Sequence, residues 1–595
     1  MIYSQLNRAK NFLYFIKDIP IEKIYFRIAL LIKRRIQYIR FSKNPHKSFY
    51  FRKGQVHIIK NHPKGPIIKR NNLSRHLPIN LNLNGYKFCL ERYTNWSDYQ
   101  SSSSTLLQRM TLHYMEYLFS LHPKESLLII NDWIDKNKPF RSINICPSWN
   151  SYSISIRIIN WIDLLTSLDD SSDSFSSLNN DKITQSMQYQ IKYLIDNLEF
   201  DIKGNHIIKN LRCIFRYNST FLTDQTSKWN RIAIRILNNE LNKQILNDGM
   251  HFELSFSYHI QVLEDLLCIH RSLISYEDTE NVNHDIKKSI PLLNACLIRM
   301  TKVLELCLHP DGKTSLFGDG GLNSASEPNK LLYVAYKQLN IKTYNRYNAL
   351  SAKPWSLFNA GYYGLTSKNS SFIIDCGPVC PLDLPAHGQG DALSIEWSIR
   401  GKRFLVDPGV YEYEEGEKRN YSKSTKAHNT ITLNDLDQSE FWSSFKVGRK
   451  SITKIESYLP EKNSFSLSAI NNGYQHLKGN PIIRRDIKVK KEMLHVVDKV
   501  INGNGQECRS RLLLSPDSRV IASSQISNNI YTALILLDFK DNQNPNDFIK
   551  LISSAPFDFE KAYFYPDFGV EILTSRIVFH IGKAPCSASW TLKAI

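Results

Sequence analysis

The sequence lacks the segments that mark exported and membrane-spanning chains. Between Met1 and about Phe41, no basic start, apolar middle and small-residue cleavage site follow one another as they do in a signal peptide. The longest clean apolar run in this part, Ile28 to Ile32, is far shorter than the roughly 20 residues that a membrane-spanning helix needs. We therefore expect a location in the cytoplasm or at the inner face of the membrane.

Paired cysteine motifs are also absent. The ten cysteines are scattered without CxxC clusters, and only Cys376 and Cys380 lie close together. Because no export signal is recognised, reduced thiols are expected rather than a disulfide framework. No short-period repeat stands out, and the serine-rich stretch Asp169–Ser177 predicts a loop. These absences argue against a disulfide-stapled scaffold and a cysteine-rich zinc module.

The composition is that of a basic globular protein. With 595 residues, of which 42% are hydrophobic and 22% charged, the chain is too long for one ordinary core, so two or more domains are expected. The net charge of +20 attracts polyanions, although a lysine bias of the whole genome would produce the same excess. Charge alone therefore does not separate an acidic glycan from nucleic acid or an anionic membrane. No base-reading module is recognised, so no nucleic-acid partner is expected.

The amino-terminal segment offers a second kind of partner. Up to about Phe41 it mixes apolar residues with lysine and arginine throughout. This mixture fits a basic amphipathic helix lying on a membrane surface, and peripheral membrane contact is one interpretation of the segment.

The spacing of apolar residues divides the chain in two. From about Ser104 to Leu339 they recur at helical spacing, with clear stripes that begin at Ile154 and Phe252. Helical patterns also occur near Leu106–Leu121, Ser186–Leu198, Asn230–Leu246 and Ile290–Leu308. Successive helices joined by short polar turns predict layers of antiparallel helix pairs.

Beyond about Lys353 the pattern changes to short runs with β-branched and aromatic residues, separated by glycine, proline and asparagine turns. Such a series predicts an antiparallel sandwich. Helices followed by strands indicate a multidomain α+β protein rather than one interleaved sheet. The predicted strands are Ser371–Cys376, Leu393–Ile399, Arg403–Asp407, Asn429–Leu433, Ile482–Lys490, Ile530–Asp538, Ile577–Ile581 and Ala588–Lys593.

Two segments of the helical half carry candidate chemistry. Asn205 and His206 stand just before an apolar stripe, so Asn205 is expected at a helix start, where it either caps the helix or helps to bind an anion. Tyr258 is expected on a helix that buries Phe252 and Phe256. It is therefore either a proton donor on the other side of that helix or a surface residue.

Two further segments lie in the half that is rich in strands. His387 stands among small residues that leave room for a ligand, and His428 precedes a predicted strand. Lone histidines of this kind are more often structural or solvated. The four segments are informative only when they are taken together.

In order and approximate spacing, they resemble the heparinase II/III-like polysaccharide lyases, over a range from about Cys89 to Arg485. The matching segments are Trp149–Trp161, Asn205-His206, Asp248-Gly249 to Tyr258, His309–Gly312, His387–Ser394, Val406-Asp407 and Ala427–Asn429. The resemblance implies a basic extension or helical lead-in over residues 1–85, an incomplete (α/α) toroid over 86–350 and a β-sandwich over 355–595.

The resemblance also implies cleavage of a uronic-acid polysaccharide by β-elimination. The C5 proton beside the sugar carboxylate is weakly acidic until that charge is neutralised, and Asn205, assisted by His206, matches the neutralising position. Tyr258 and His387 match the catalytic tyrosine and histidine, and either is the base, depending on substrate stereochemistry. Because tyrosine has a pKa of about 10, a tyrosine base needs a neighbouring positive charge. Further substrate contacts are expected from Tyr152, Gln389 and His428.

Two departures from the family pattern bear on activity. Some relatives bind zinc through two histidines and an aspartate; Asp407 and His428 match two of these positions, but the third is Gln389, a poor zinc ligand. No cofactor is therefore expected, and zinc is the alternative. Leu254 stands where the family often has arginine, which leaves open a non-cleaving glycan-binding or polysaccharide-assembly factor. The missing export signal suggests, by analogy, work linked to capsule or lipopolysaccharide production.

Overall fold

A computed structural model describes residues 14, 17–43, 57–59, 62–67, 75–96, 104–139, 146–169, 181–223, 225–277, 284–342, 351–527, 529–537 and 547–595. Most of the predicted serine-rich loop and the first thirteen residues lie outside these ranges. Within them, none of the helices is both long and apolar enough to cross a membrane.

The first part of the chain is mainly helical, and the predicted helices are confirmed there. The helices are α1 (Ile21–Lys43), α2 (Leu106–Tyr114), α3 (Pro123–Lys136), α4 (Ser151–Asp169), α5 (Asp181–Asp196), α6 (Asn205–Asn218), α7 (Thr226–Gln244), α8 (Phe256–Glu277), α9 (His284–Cys307) and α10 (Pro328–Leu339).

Local sequence signals explain several of these helices. Helix α5 buries Ile183, Met187 and Ile191, which recur once per turn on one face. Helix α2 begins with a capping box in which Thr105 and Gln108 satisfy each other's backbone N–H groups. Helix α6 is buried along nearly its whole length and packs against α4, α7 and α8. Its first residue, Asn205, is therefore held in place by a tightly packed helix.

Two sequence predictions about this part were wrong in detail. Phe252 does not belong to the helix that contains Phe256, because the backbone at Leu254 takes a left-handed conformation (φ 61°) and α8 begins only at Phe256. The predicted domain boundary between residues 85 and 86 cuts a hairpin of β2 (Ile79–Leu83) and β3 (Tyr86–Leu90). Another short pair joins β1 (His57–Ile58) to β4 (Phe221–Leu222).

From Lys353 onward the chain forms antiparallel sheets, as predicted. A five-stranded meander is followed by a four-stranded sheet and an eight-stranded sheet. The strands of the meander are β5 (Lys353–Leu357), β6 (Tyr362–Thr366), β7 (Ser371–Asp375), β8 (Ile395–Ile399) and β9 (Lys402–Leu405). The next strands are β10 (Ile431–Leu433), β11 (Phe441–Ser443), β12 (Lys446–Val447), β13 (Thr453–Glu461), β14 (Ser464–Asn471), β15 (Ile482–Lys490), β16 (Met493–Ile501) and β17 (Glu507–Leu513). The last are β18 (Ser518–Ser527), β19 (Ile530–Leu537), β20 (Phe548–Ser553), β21 (Phe557–Phe564), β22 (Ile572–Lys583) and β23 (Cys586–Ala594). The four-stranded sheet has the order β10-β17-β22-β21, and the eight-stranded sheet has the order β13-β14-β15-β16-β23-β20-β19-β18. A short helix, α11 (Glu417–Lys423), lies between β9 and β10.

The helical and sheet regions share an apolar contact. One buried core cluster belongs to the helices, and a second joins the three large sheets. A third cluster brings Met250 and Phe256 from the helical region against Trp355 and Tyr362 from the sheet region. Burial of this apolar surface favours one relative placement of the two regions, and it lies beside the segment that contains Tyr258.

Candidate active site

Helix α6 starts at a glycine that permits a very close contact. Gly204 has a left-handed backbone (φ 58°), and a Cβ atom there would lie 2.0 Å from Glu253 Oε1. Glycine adopts this conformation without strain and leaves the space that the carboxylate occupies. Gly204 thus allows Glu253 to reach the first residue of the helix.

Glu253 holds Asn205 through both its backbone and its side chain. The Asn205 backbone N–H donates to Glu253 Oε1 at 2.7 Å, and Nδ2 donates to the two carboxylate oxygens at 3.2 and 2.9 Å. Since a carboxylate only accepts hydrogen bonds, the amide nitrogen must face Glu253. Asn205 Oδ1 is left buried, without a hydrogen-bond partner in the described structure. Asn205 is the first residue of the helix rather than its N-cap, so the capping interpretation was wrong.

His387 lies between two buried carboxylates. Its Nε2 is 3.2 Å from Glu253 Oε2, and its Nδ1 is 3.3 Å from Asp319 Oδ2. Burial alone would lower the pKa of His387, but the hydrogen bonds and charges of Asp319 and Glu253 outweigh it and raise the pKa to about 9. At neutral pH His387 is therefore an imidazolium that donates from both nitrogens, and in this state it is not a base.

Asp319 is itself held by a buried ion pair. Arg419, on α11, donates to its two oxygens at 2.6 and 2.8 Å, and Gln389 Nε2 donates to Oδ1 at 2.9 Å. Burial opposes the charged carboxylate, but the charge of Arg419 and the hydrogen bond from His387 hold the pKa of Asp319 well below its ordinary value. Asp319 thus stays ionised and fixes His387 from the side opposite Glu253.

Tyr258 stacks directly on His387. The two ring centroids are 4.0 Å apart, and the Tyr258 hydroxyl lies 2.9 Å from the hydroxyl of Tyr413. Burial, followed by the nearby Tyr413 and the charges of Asp319 and Glu253, raises the pKa of Tyr258 well above 10. The phenol is therefore neutral at physiological pH, which suits a proton donor and not a proton acceptor. We call Asn205, Glu253, Tyr258, Asp319 and His387 the junction site.

His206 and Tyr152 form a second, more exposed pair. Their rings lie 4.5 Å apart, and His206 Nδ1 is 3.2 Å from Glu199 Oε1. The buried Glu199 favours the tautomer with a proton on Nδ1, which leaves the lone pair on Nε2. Burial, followed by the nearby Tyr114, Asp265 and Tyr258, raises the pKa of Tyr152 well above 10. The structure thus places all four predicted catalytic residues in one region.

The predicted zinc ligands form a closed arrangement instead. His428 is fully buried, with Nδ1 2.8 Å from Asp407 Oδ2 and Nε2 3.0 Å from the carbonyl oxygen of Ser422. Gln389 is directed to Asp319 rather than to this pair. Both ring nitrogens of His428 are engaged in hydrogen bonds, and Gln389 offers only a neutral amide oxygen, so this set does not fit zinc. Across the described ranges, no group of three or more histidine, cysteine, aspartate or glutamate residues could hold a metal ion.

The same geometry corrects two predicted substrate contacts. His428 has no exposed surface and both of its ring nitrogens are engaged, so in this arrangement it does not reach a substrate. Gln389 is likewise fully buried and acts as a support for Asp319. Of the three predicted substrate contacts, only Tyr152 keeps a partly exposed side chain.

Four functional candidates were missed at the sequence level: Glu253, Asp319, Tyr413 and Arg419. Glu253 lies within the segment that contains Tyr258, where an acidic residue among apolar neighbours was an available signal. Asp319 lies in the glycine-rich run Phe317–Gly321, another available signal. No comparable local pattern marks Tyr413 or Arg419.

We expect the protonation of His387 to contribute to stability. Its folded pKa of about 9 exceeds the ordinary value of 6.5, so the contribution is complete below about pH 6.5 and disappears as the pH rises through about 9. The difference between the folded and the ordinary pKa of His387 corresponds to about 3 kcal/mol of unfolding free energy. Urea unfolding of wild type and His387→Gln at about pH 6 and about pH 10 measures it, since only wild type should lose this increment. Parallel pH profiles for the two proteins would contradict the assignment.

Comparisons with known proteins agree with this architecture. Residues 78–339 match the family model "Heparinase II/III N-terminus", and residues 350–590 match "Heparinase II/III-like, C-terminal". A heparin-sulfate lyase of Pedobacter heparinus is 26% identical over 347 residues, which cover 55% of this chain and 50% of that protein. A heparin-sulfate lyase of Bacteroides thetaiotaomicron is 22% identical over 491 residues, covering 73% of this chain and 63% of its own. The chain thus spans about half to two thirds of the length of these relatives.

Solved structures support the fold. A crystal structure of heparan sulfate lyase from Pedobacter heparinus aligns with a TM-score of 0.55 at 20% identity, over 86% of this chain and 79% of that one. A crystal structure of heparinase III aligns with a TM-score of 0.65 at 17% identity, over 84% and 79% of the two chains. Together the two family models account for most of the sequence, in the order of the helical and sheet regions. The chain belongs to the heparinase II/III-like family.

Proposed function

We propose that this protein is a lyase that cleaves a uronic-acid-containing polysaccharide by β-elimination. The observation that carries the proposal is the junction site, in which a neutral phenol stacks on an imidazolium held by two carboxylates. The relatives named heparin-sulfate lyases support an acidic, glycosaminoglycan-like substrate. A role in the production of capsule or lipopolysaccharide is the narrower form of this proposal.

In the proposed reaction, the C5 proton of the uronic acid is removed, its C4–O4 bond breaks and a C4=C5 double bond forms. The O4 oxygen leaves as the C1 hydroxyl of the neighbouring sugar. In the proposed complex the sugar carboxylate lies against the partly exposed side of His387, whose positive charge stabilises the enolate-like intermediate. Tyr258 donates its phenolic proton to the departing O4 oxygen, as its raised pKa permits. Asn205 does not take the expected neutralising role in this proposal, because its amide nitrogen is held by Glu253. It offers its oxygen Oδ1 to a sugar hydroxyl or a protonated carboxyl.

His206 supplies the base in this proposal. Its Nδ1 is turned to Glu199, so Nε2 carries the lone pair that accepts the C5 proton. We expect His206→Ala to lower turnover by about 10²–10⁴-fold. Imidazole added to the assay should restore part of the lost activity, because it replaces the missing base.

Glu199→Gln is the matched variant for this prediction. It keeps the size of the side chain but weakens the orientation of His206, so we expect a smaller loss, roughly tenfold. Turnover of His206→Ala within a few fold of wild type would remove His206 from the base position and leave the elimination itself to be tested separately.

The decisive experiment is incubation with acidic polysaccharides, among them heparan-type, hyaluronan-type and alginate chains and the capsule of the producing cell. β-Elimination leaves an unsaturated uronate end that absorbs in the near ultraviolet. Absorbance should rise with at least one polymer and stay flat with a neutral glucan. Tight binding of the polymers without any rise in absorbance would indicate a glycan-binding protein and overturn the proposal.

We also propose that the helical region forms an incomplete (α/α) toroid. The incomplete (α/α) toroid is supported by the way α6 packs against α4, α7 and α8, while α9 packs against both α7 and α8. The junction site lies where this helical layer meets the sheet region. A polysaccharide bound there would contact His206 and Tyr152 from one region and His387 from the other.

A further inference from the structure

Helix α1 carries a long apolar surface on its outer side. At 3.6 residues per turn, Ile21, Tyr25, Ile28 and Ile32 fall within one arc of the helix. These side chains are exposed by 84%, 66%, 53% and 56%, and Leu31, Ile36 and Ile39 extend the same arc. A helix of a globular protein normally turns such an arc toward the core, so this one calls for an explanation.

The opposite side of α1 is attached to the body of the protein. The Phe26 ring lies 5.1 Å from that of Phe200, and Leu30 is buried. Lys23 Nζ donates to the carbonyl oxygen of Asp383 at 2.8 Å, and Lys33 Nζ lies 3.3 Å from Asp196 Oδ1. Because residues of the helical region and of the sheet region both contact the inner side of α1, its apolar arc faces outward.

Basic residues accompany the apolar arc. At 3.6 residues per turn, Arg27 and Arg40 fall at its two edges and Arg35 falls within it; all three are exposed, whereas the first turn contains the acidic residue Glu22. An apolar arc with cations at its edges and one within it is complementary to the boundary between acyl chains and anionic headgroups. A second copy of the same face would instead bring like charges together, which is unfavourable.

We propose that α1 docks lengthwise on an anionic membrane surface, with its apolar arc in the headgroup boundary and its arginines on lipid phosphates. The start of the helix is tied to Asp383 and, through Glu22, to Lys203 at 3.7 Å. These two residues stand close in sequence to His387 and Asn205. Docking would therefore hold the junction site beside the bilayer, and it does not depend on which reaction the site performs.

The test is flotation of the full-length protein with vesicles. We expect it to float with vesicles of phosphatidylcholine mixed with phosphatidylglycerol, and much less with phosphatidylcholine alone. The double variant Ile28→Glu, Ile32→Glu should bind roughly tenfold more weakly or worse, because two apolar contacts are replaced by charges. Ile521→Glu, Ile526→Glu on β18, which are exposed by 52% and 65%, form the matched control and should bind as wild type does.

Charge is tested separately. Each of Arg27→Gln, Arg35→Gln and Arg40→Gln should weaken binding about fivefold, and added salt should act in the same direction. Cleavage of a soluble polymer by the Ile28→Glu, Ile32→Glu variant should be unchanged. Absence of flotation with both kinds of vesicle overturns the proposal. So does lipid-free self-association that the same double variant abolishes, since the apolar arc would then be a protein interface.

Discussion

Replacing Tyr258 by phenylalanine is expected to lower turnover by about 10²–10⁴-fold while the chain stays folded. The substitution removes the phenolic proton that we assign to the departing O4 oxygen, and it keeps the ring that stacks on His387 at 4.0 Å. The lost hydrogen bond to Tyr413 is worth about 1 kcal/mol. Initial rates from the ultraviolet absorbance of the product, together with thermal unfolding, measure the two effects.

Tyr413→Phe is the control for this prediction. It removes the same 2.9 Å hydroxyl contact from the other side and leaves the Tyr258 proton in place. Its turnover should fall by no more than roughly tenfold, because the contact positions the acid without being the acid. Equal losses for the two variants would mean that the contact, rather than the Tyr258 proton, matters. Wild-type turnover by Tyr258→Phe would remove this tyrosine from the mechanism.

Replacing Arg485 by methionine is expected to destabilise the fold by about 3–5 kcal/mol, because it leaves the buried carboxylate of Asp498 without its counter-charge. Arg485 donates to both Asp498 oxygens, at 2.7 and 2.9 Å, and neither side chain is exposed. It also donates to the carbonyl oxygens of Leu393 and Asn429, which lead into β8 and β10. One guanidinium thus connects the eight-stranded sheet to the segments that follow His387 and His428.

Arg484→Met, one residue earlier on β15, provides the comparison. Its side chain lies on the opposite face, partly exposed, and pairs with Glu456 and Asp486. Surface ion pairs contribute about 0–1 kcal/mol, so this variant should unfold at nearly the wild-type urea concentration. Arg485→Lys should fall between the two, because it keeps the charge but loses the fork of hydrogen bonds. Similar midpoints for Arg484→Met and Arg485→Met would show that the buried pair is not a main source of stability.

Glu253 shows why part of the site was out of reach of sequence reasoning. The hydrogen bonds between Glu253 and Asn205 join residues that lie 48 positions apart in the sequence. The contact between His387 and Asp319 joins residues 68 positions apart. Tyr413 approaches Tyr258 across 155 positions. Motif order could identify Asn205, His206, Tyr258 and His387 as a set. It contained no information on which carboxylates or phenols would surround them.

Burial also reversed some local expectations. His428 lies in a motif that suggested a metal or substrate contact, but its two ring nitrogens are engaged inside the sheet region. Leu254, which was considered only for the cation it lacks, packs into the apolar contact between the regions, and its carbonyl oxygen accepts from Tyr362 at 2.6 Å. In both cases the sequence shows which chemistry the side chain can perform, but the residues packed around it in the folded protein decide its role.

The sequence by itself determined the order of helices and strands, the start of α6 at Asn205 and the family, because periodicity, turn residues and ordered motifs are properties of neighbouring positions. The tertiary structure alone decided the charge states at the junction site. The pKa of His387 rises to about 9 because distant segments bring two buried carboxylates against it. The pKa of Tyr258 lies well above 10 because the fold buries it and places a second phenol and the same carboxylates nearby. Electrostatic interaction depends on distance in space, and the chain must fold before those distances exist.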